Sequence, residues 1–282
     1  MENVIEVSSL MKIFSNQVAL NKVDFTVKEM EIFGFLGPSG SGKTTTIKIL
    51  TDQLSPTDGN AKVFGIPSTM LRKKGYHKKI GVLTDNSGLY NRLTIYDNLK
   101  LYCKLYNVPL KRIEEVLHIV NLEDEMKMIV SNLSKGMLQR AILARSFLHK
   151  PDLLFLDEPT SALDPVNSQR IYKGLRELNK KGTTIFLTTH DMSEAELLCN
   201  RVAFLNKGQI QLLDEPKKLR HQFSDSTMTV ELADGRKIVM KNGPEDAKKM
   251  YEYMASSQVV SIYSNEPTLG DIFVKITGRE LL

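Results

Sequence analysis

"IFGFLGPSGSGKTTTIKIL", residues 32–50, decides the fold. The apolar run Ile32-Phe33-Gly34-Phe35-Leu36 stops at a glycine loop. A run so short, ending on glycine, fits a buried strand better than a helix. From Thr44 to Leu50 the pattern reads as the start of a helix. The loop between them, Gly37-Pro38-Ser39-Gly40-Ser41-Gly42-Lys43-Thr44-Thr45, matches G-x-x-x-x-G-K-[ST] at Gly37, Gly42, Lys43 and Thr44. Glycines let backbone N–H groups curl toward phosphate oxygens with no side chain in the way. The following helix points its positive end at the same place. Lys43 is placed to reach the β- and γ-phosphates, and the Thr44 hydroxyl to ligate Mg²⁺. Strand, loop and helix in this order predict a bound nucleotide.

Working outward, residues 2–7 alternate like a strand, and residues 23–37 read as two strands around a turn. Residues 92–149 look helical: Leu99, Tyr102, Leu105 and Tyr106 recur at helical spacing, as do Ile113, Val116, Leu117 and Val120. "LLFLD" (153–157) and "TTIFLTTH" (183–190) are apolar, β-rich runs, and residues 201–216 read as a hairpin around Asn-Lys-Gly. Strands alternating with helices imply a mostly parallel sheet covered on both faces. Composition shifts near residue 220. A hairpin (227–240), a helix opened by Glu245 and Asp246, a strand and a closing helix follow. The expected organisation is an α/β domain over 1–220, with a helical subdomain at about 88–150, and a small α+β appendage over 221–282.

The chain's 282 residues are 41% hydrophobic and 25% charged, an ordinary globular balance. No apolar run approaches the roughly 18–20 residues that span a bilayer, and the acidic start is unlike a signal peptide. Cys103 and Cys199 stand apart, with no metal spacing, and read as reduced thiols of a cytosolic protein. The net charge of +5 reads as spread along the chain. With no arginine-rich or aromatic-interleaved stretch, nucleic acid is not expected.

"DLLFLDEPT" (152–160) supplies a second anchor. Four apolar residues of a buried strand end in Asp157 and Glu158 at the carboxyl edge, where parallel sheets bind ligands. Asp157 can hold Mg²⁺ through water, and Glu158 can polarise an attacking water.

Together these motifs resemble the nucleotide-binding subunit of an ATP-binding cassette (ABC) transporter, from about residue 3 to residue 220. "LSKGMLQR" (133–140) resembles the family's signature motif, "SALDP" (161–165) its D-loop, and "TTHDMSEAE" (188–196) its switch region with His190. Phe14 falls where the family places an adenine-stacking aromatic. The resemblance implies a P-loop ATPase core with an antiparallel β subdomain and a helical subdomain. It also implies a head-to-tail dimer, homodimeric or pseudo-symmetric, with ATP and Mg²⁺ sandwiched between subunits. One subunit would offer the phosphate loop, Asp157, Glu158 and His190, and the other Ser134 and Gly136. Ser134 begins a helix, so hydroxyl, amides and dipole can all face a γ-phosphate.

Two motifs depart from the family. Asp85, in "IGVLTDNSGLY" (80–90), stands where the family has a glutamine that touches Mg²⁺ and the attacking water; a register slip would give the place to Asn86. In the signature, Lys135 replaces a glycine and Met137 a glutamine. The ending "SNEPTLGDIFVKITG" (264–278) resembles the close of bacterial drug and peptide efflux cassettes, with Gly270 in place of an acid. That resemblance implies an exporter ATPase at the cytoplasmic face of the membrane. It would work with an integral membrane permease in a separate chain, docked near residues 88–130, for a drug, antimicrobial peptide or lipid. Two other expectations remain open at this level: a soluble cassette acting on ribosomes or DNA, and a regulatory subunit that does not hydrolyse ATP.

Overall fold

A computed structural model describes residues 2–84 and 87–278. The chain divides into two units, up to Asp214 and from Glu215 on. The expected boundary near 220 falls inside the first helix of the second unit.

The first unit contains two sheets. One is antiparallel, in the order β2-β1-β4-β5, from β1 (Asn3–Phe14), β2 (Gln17–Lys28), β4 (Asp58–Val63) and β5 (Ile66–Pro67). Sequence reading found only the first half of β1. The strand slips register against β2 in several places, and Ser9 takes a left-handed φ of 48°. Such irregularities break the two-residue alternation on which strands are recognised.

The second sheet has the order β10-β9-β3-β8-β7-β6, with β3 (Ile32–Leu36), β6 (Ile80–Leu83), β7 (Leu153–Asp157), β8 (Thr184–Thr189), β9 (Arg201–Asn206) and β10 (Gln209–Asp214). It is parallel apart from β10, which runs back along β9. β3 is buried at every residue, as its unbroken apolar run requires. Phe25 on β2, Phe33 and Phe35 on β3, and Phe155 and Phe186 on the next strands stack at ring separations of 5.3–5.9 Å. This aromatic cluster joins the two sheets through one core.

α1 (Lys43–Leu50) follows the glycine loop. Three helices, α2 (Ile95–Tyr106), α3 (Lys111–Val120) and α4 (Lys135–Phe147), occupy the predicted helical region. Residues 121–134 differ from the expectation, forming only a single 3₁₀ turn at Val130–Asn132. Their backbone is bonded instead to the start of α2, with Ile95 N–H on the Met128 carbonyl and Val130 N–H on that of Leu93. Ile113, Val116, Leu117 and Val120 are buried as predicted. Leu105 is not: it is 70% exposed, and α2 turns Ile95, Asn98, Leu99 and Cys103 inward. α5 (Pro165–Lys180) and α6 (Met192–Leu198) complete the unit. Cys103 and Cys199 are both buried free thiols.

The second unit is a three-stranded antiparallel sheet, β12-β11-β13, with helices. Its strands are β11 (Thr227–Leu232), β12 (Lys237–Lys241) and β13 (Val259–Ser264); its helices are α7 (Pro216–Phe223), α8 (Pro244–Ala255) and α9 (Leu269–Thr277). Val230, Leu232 and Met240 form its core against Met250, Tyr253 and Val259. α9 starts from a reciprocal Thr268–Asp271 capping box and buries Leu269, Ile272 and Phe273, with Ile276 half-buried.

Candidate functional site

Strand register gathers the predicted residues along one edge. Leu36 lies beside Thr189, Thr188 beside Asp157, and Leu156 beside Leu83. The glycine loop after β3, His190 after β8, the Asp157–Glu158 pair ending β7 and Thr84 after β6 therefore emerge side by side. At about 4.8 Å per strand they span roughly 15 Å. Asp85 and Asn86, which follow Thr84, lie outside the described residues.

Two glycines of the loop have steric reasons. A Cβ on Gly37 would sit 2.2 Å from the Leu205 carbonyl oxygen on β9. Gly42 takes φ 114°, where L-residues are strained, and a Cβ there would lie 2.7 Å from the Ala19 carbonyl. Gly42 caps α1 without a side-chain bond. The first-turn amides at Thr44 and Thr45 are thus available to an anion. The Ser41 hydroxyl is buried with no partner among the described residues, which fits a loop shaped around an acceptor-rich ligand.

Lys43 is buried, with Nζ donating to the carbonyls of Gly37 at 2.7 Å and Pro38 at 3.2 Å. The same ammonium lies 3.4 Å from Glu158 Oε1, while His190 Nδ1 lies 3.1 Å from Glu158 Oε2. The Glu158 carboxylate is therefore aimed from both sides. Its backbone takes a left-handed φ of 46°, costing about 1–2 kcal/mol for a residue with a Cβ. Its N–H is held by the Thr188 carbonyl at 3.0 Å. Strain that the surroundings maintain at a strand end points the side chain off the sheet edge. His190 is half-exposed, which excludes a core histidine.

Thr44 Oγ1 donates to Asp157 Oδ2 at 2.7 Å, and the Thr188 hydroxyl makes a short bond to Asp157 Oδ1. Among the described residues no three His, Cys, Asp or Glu side chains gather as a metal cage. One carboxylate and one hydroxyl side by side nevertheless suit Mg²⁺, which takes few protein oxygens and fills its octahedron with phosphate and water. Thr44, Asp157, Glu158, Leu83, Thr84 and Lys135 share the wall of a cavity of about 520 Å³. Lys135 thus borders this space and is itself exposed.

Ser134 caps α4, its hydroxyl accepting from Met137 N–H at 3.2 Å. Gly136 packs against the segment after Glu158: a Cβ there would sit 3.1 Å from the Ala162 carbonyl. Phe14 ends β1 as a 45% exposed ring with Lys12 Nζ 5.0 Å from its centroid. An exposed ring of this kind can stack on a planar base.

Sequence reading missed one buried carboxyl. Glu194 on α6 is 1% exposed, accepts from Thr160 Oγ1 at 2.8 Å, and bonds the Thr189 hydroxyl. Burial pushes its pKa up, and both hydroxyls oppose the shift. Thr160 follows Glu158 by two residues and Thr189 immediately precedes His190. One side chain therefore ties together the two loops that present the Glu158–His190 pair. Burial and the neighbouring Glu194 charge also push the adjacent Tyr172 phenol up to about 12. The signal was available in "THDMSEAE", where Glu194 stands three residues after a helix-capping Asp191, in the first turn of α6.

Residues 20–161 match the ABC transporter family. A fluoroquinolones export ATP-binding protein of Mycobacterium tuberculosis is 40% identical, over 93% of this chain and 89% of the relative. The bacitracin transport ATP-binding protein BcrA of Bacillus licheniformis is 34% identical, over 99% and 98%. Among solved structures, a dimeric ATP-binding cassette in a post-hydrolysis state with ADP and Pi superposes with a TM-score of 0.68. It shares 28% identity over 75% of this chain and 98% of its own.

Proposed function

This chain belongs to the ABC transporter family as an ATP-hydrolysing cassette, and we propose that it powers export through a permease carried on a separate chain, from the cytoplasmic face of the membrane. The observation that carries the reading is the Glu158 carboxylate, held between Lys43 and His190 at the edge where the phosphate loop begins.

In this reading the loop amides, Ser41 and Lys43 bind the phosphates of ATP, and Phe14 stacks on adenine. Thr44 and Asp157 would hold Mg²⁺, with Asp85 as a further oxygen ligand. When bound, the metal would neutralise phosphate charge. Glu158 accepts the proton of the attacking water, and His190 orients both water and γ-phosphate. Lys43 neutralises charge that develops on the leaving side. Ser134 and Gly136 at the start of α4 reach the γ-phosphate of a second copy, so ATP joins the two and its hydrolysis releases them. The dimeric structure of the related cassette with ADP and Pi, and the similarity to export and transport ATP-binding proteins, support this reading.

A cleft of about 360 Å³ between β6 and the helices α2 and α4, walled by Arg72, Val82, Tyr102, Tyr106, Arg145 and His149, is the docking place for the permease. Nearby, Tyr90, Leu101 and Leu105 leave large apolar side chains exposed. No helix among the described residues is long and apolar enough to cross a membrane.

The test is Glu158→Gln. Turnover should vanish, while ATP and Mg²⁺ should convert the variant to a stable dimer in size-exclusion chromatography with light scattering. The same tagged variant, drawn from native membranes, should bring down one polytopic membrane protein by mass spectrometry. A variant that stays monomeric with saturating ATP would refute the sandwich; recovery of ribosomes or nucleic acid without a membrane protein would refute the transporter reading.

A further inference from the structure

One short segment of the chain is densely positive. Arg72, Lys73, Lys74, Lys78 and Lys79 fall within eight residues that contain no acid, so this one segment equals the whole formal excess of +5. Every other part of the molecule taken together is formally neutral. His77 sits among these five cations.

The segment is fastened at both ends. Leu71 and Ile80 are buried at 2% and 7% exposure in the core of the first unit. Between them the chain makes a turn at Gly75 and a 3₁₀ turn at Tyr76–Lys79. Tyr76 packs on Phe64 at 5.8 Å, and Lys79 Nζ lies over both rings while pairing with Asp152 at 3.6 Å. The backbone of Arg72 is held by Asp52. Lys73, Lys74 and Lys78 are exposed and make no ion pair among the described residues. Three unpaired lysines on an anchored turn are a compact cationic surface.

Only Arg72 and His77 of this segment wall the cleft between β6 and the helices. A protein segment seated in the cleft would meet those two and leave Lys73, Lys74 and Lys78 outside it. With a permease seated in the cleft, the bilayer that carries it would be the neighbour extending past the cleft. Tyr76 is committed to Phe64, so its ring is not offered for stacking on nucleic-acid bases.

We propose that the 72–79 turn is an electrostatic foot that rests on anionic phospholipid headgroups beside the docking cleft; it rests on the reading of that cleft as the permease side. Lys73, Lys74 and Lys78 supply the contact, and Leu71, Tyr76 and Ile80 hold them in place. Because the remainder of the chain is formally neutral, this foot also orients the cassette as it approaches a negative membrane.

The experiment is flotation of the full chain with phosphatidylcholine vesicles, with and without phosphatidylglycerol. The chain should float only with phosphatidylglycerol and be released by high salt, which screens exposed charges. Lys73→Gln/Lys74→Gln/Lys78→Gln should lower the vesicle partition coefficient on the order of a hundredfold, at roughly fivefold per cation. Basal ATP hydrolysis should stay unchanged, since none of the three touches the nucleotide edge. Absence of phosphatidylglycerol-dependent flotation, or equal flotation of the triple variant, would overturn the proposal. So would displacement by inorganic phosphate at constant ionic strength, which would mark a soluble-anion site. A triple variant that loses permease capture with no lipid binding in the parent would assign the turn to an acidic protein segment. Lipid flotation without permease capture would leave the foot standing and remove the transporter reading.

Discussion

Replacing Glu194 with alanine should slow ATP hydrolysis while leaving ATP binding intact. The carboxyl is 1% exposed and accepts hydrogen bonds from Thr160 at 2.8 Å and from Thr189. Alanine removes the acceptor of both hydroxyls, at up to about 1–3 kcal/mol each, although Thr189 Oγ1 keeps the Asp191 N–H at 2.9 Å. It also removes a carboxylate whose own burial is unfavourable, as its raised pKa records. The net loss of unfolding free energy should therefore lie toward the low end, about 2 kcal/mol. Turnover suffers separately, because Thr160 and Thr189 anchor the loops of Glu158 and His190, which stand 3.1 Å apart. A displacement of about 1 Å in a reacting group costs on the order of a hundredfold. We expect kcat to fall roughly ten- to a hundredfold, with ATP affinity within about twofold because the phosphate loop is untouched. Glu194→Gln keeps an oxygen for Thr160 and should recover most of the rate. Steady-state ATPase kinetics, binding of a fluorescent nucleotide and urea unfolding measure the three quantities. Wild-type kcat in Glu194→Ala would refute the brace. Equal losses in kcat and ATP affinity would reduce it to a general folding role. A cycle with Thr160→Val should be non-additive, since the two side chains share one bond.

Gly42→Ala should destabilise the chain by about 1–3 kcal/mol and abolish most ATP affinity, because φ 114° strains any residue with a Cβ and the added atom meets the Ala19 carbonyl at 2.7 Å; unaltered nucleotide binding would contradict the loop geometry. His149 stacks on Tyr106 at 4.2 Å with Nε2–H toward the Ile80 carbonyl at 3.1 Å, and burial depresses its pKa below the ordinary 6.5. The unfolded chain then binds the extra proton first, so this contribution to stability is complete above pH 6.5 and is lost as pH falls through the depressed value. His149→Gln, which cannot titrate, should flatten the acid limb of denaturant stability.

Much of the candidate site was legible because its residues are local in sequence. The loop from Gly37 to Thr45, the Asp157–Glu158 pair after four apolar residues, and His190 after β8 each announce themselves within nine residues. The helices α3 and α9 were equally readable, since an amphipathic stripe needs only its own period. Periodicity misled at Leu105, because spacing shows that a helix has an apolar stripe and not which part of it finds a neighbour. It also failed along β1, where register slips disturb the alternation.

The charge of the 72–79 turn was present in the letters yet read as dispersed, because a net total hides where it sits. By itself the sequence determined the chemistry: which side chains can grip phosphate, hold a hard cation and polarise water. Only tertiary structure decided their arrangement. Leu36 beside Thr189 and Thr188 beside Asp157 are pairings across 153 and 31 positions of chain, and parallel register is what brings Lys43 to 3.4 Å and His190 to 3.1 Å from the Glu158 carboxylate. Glu194 takes its meaning from the same source. A carboxyl acquires a bracing role only when packing removes water from it and leaves two particular hydroxyls as its partners.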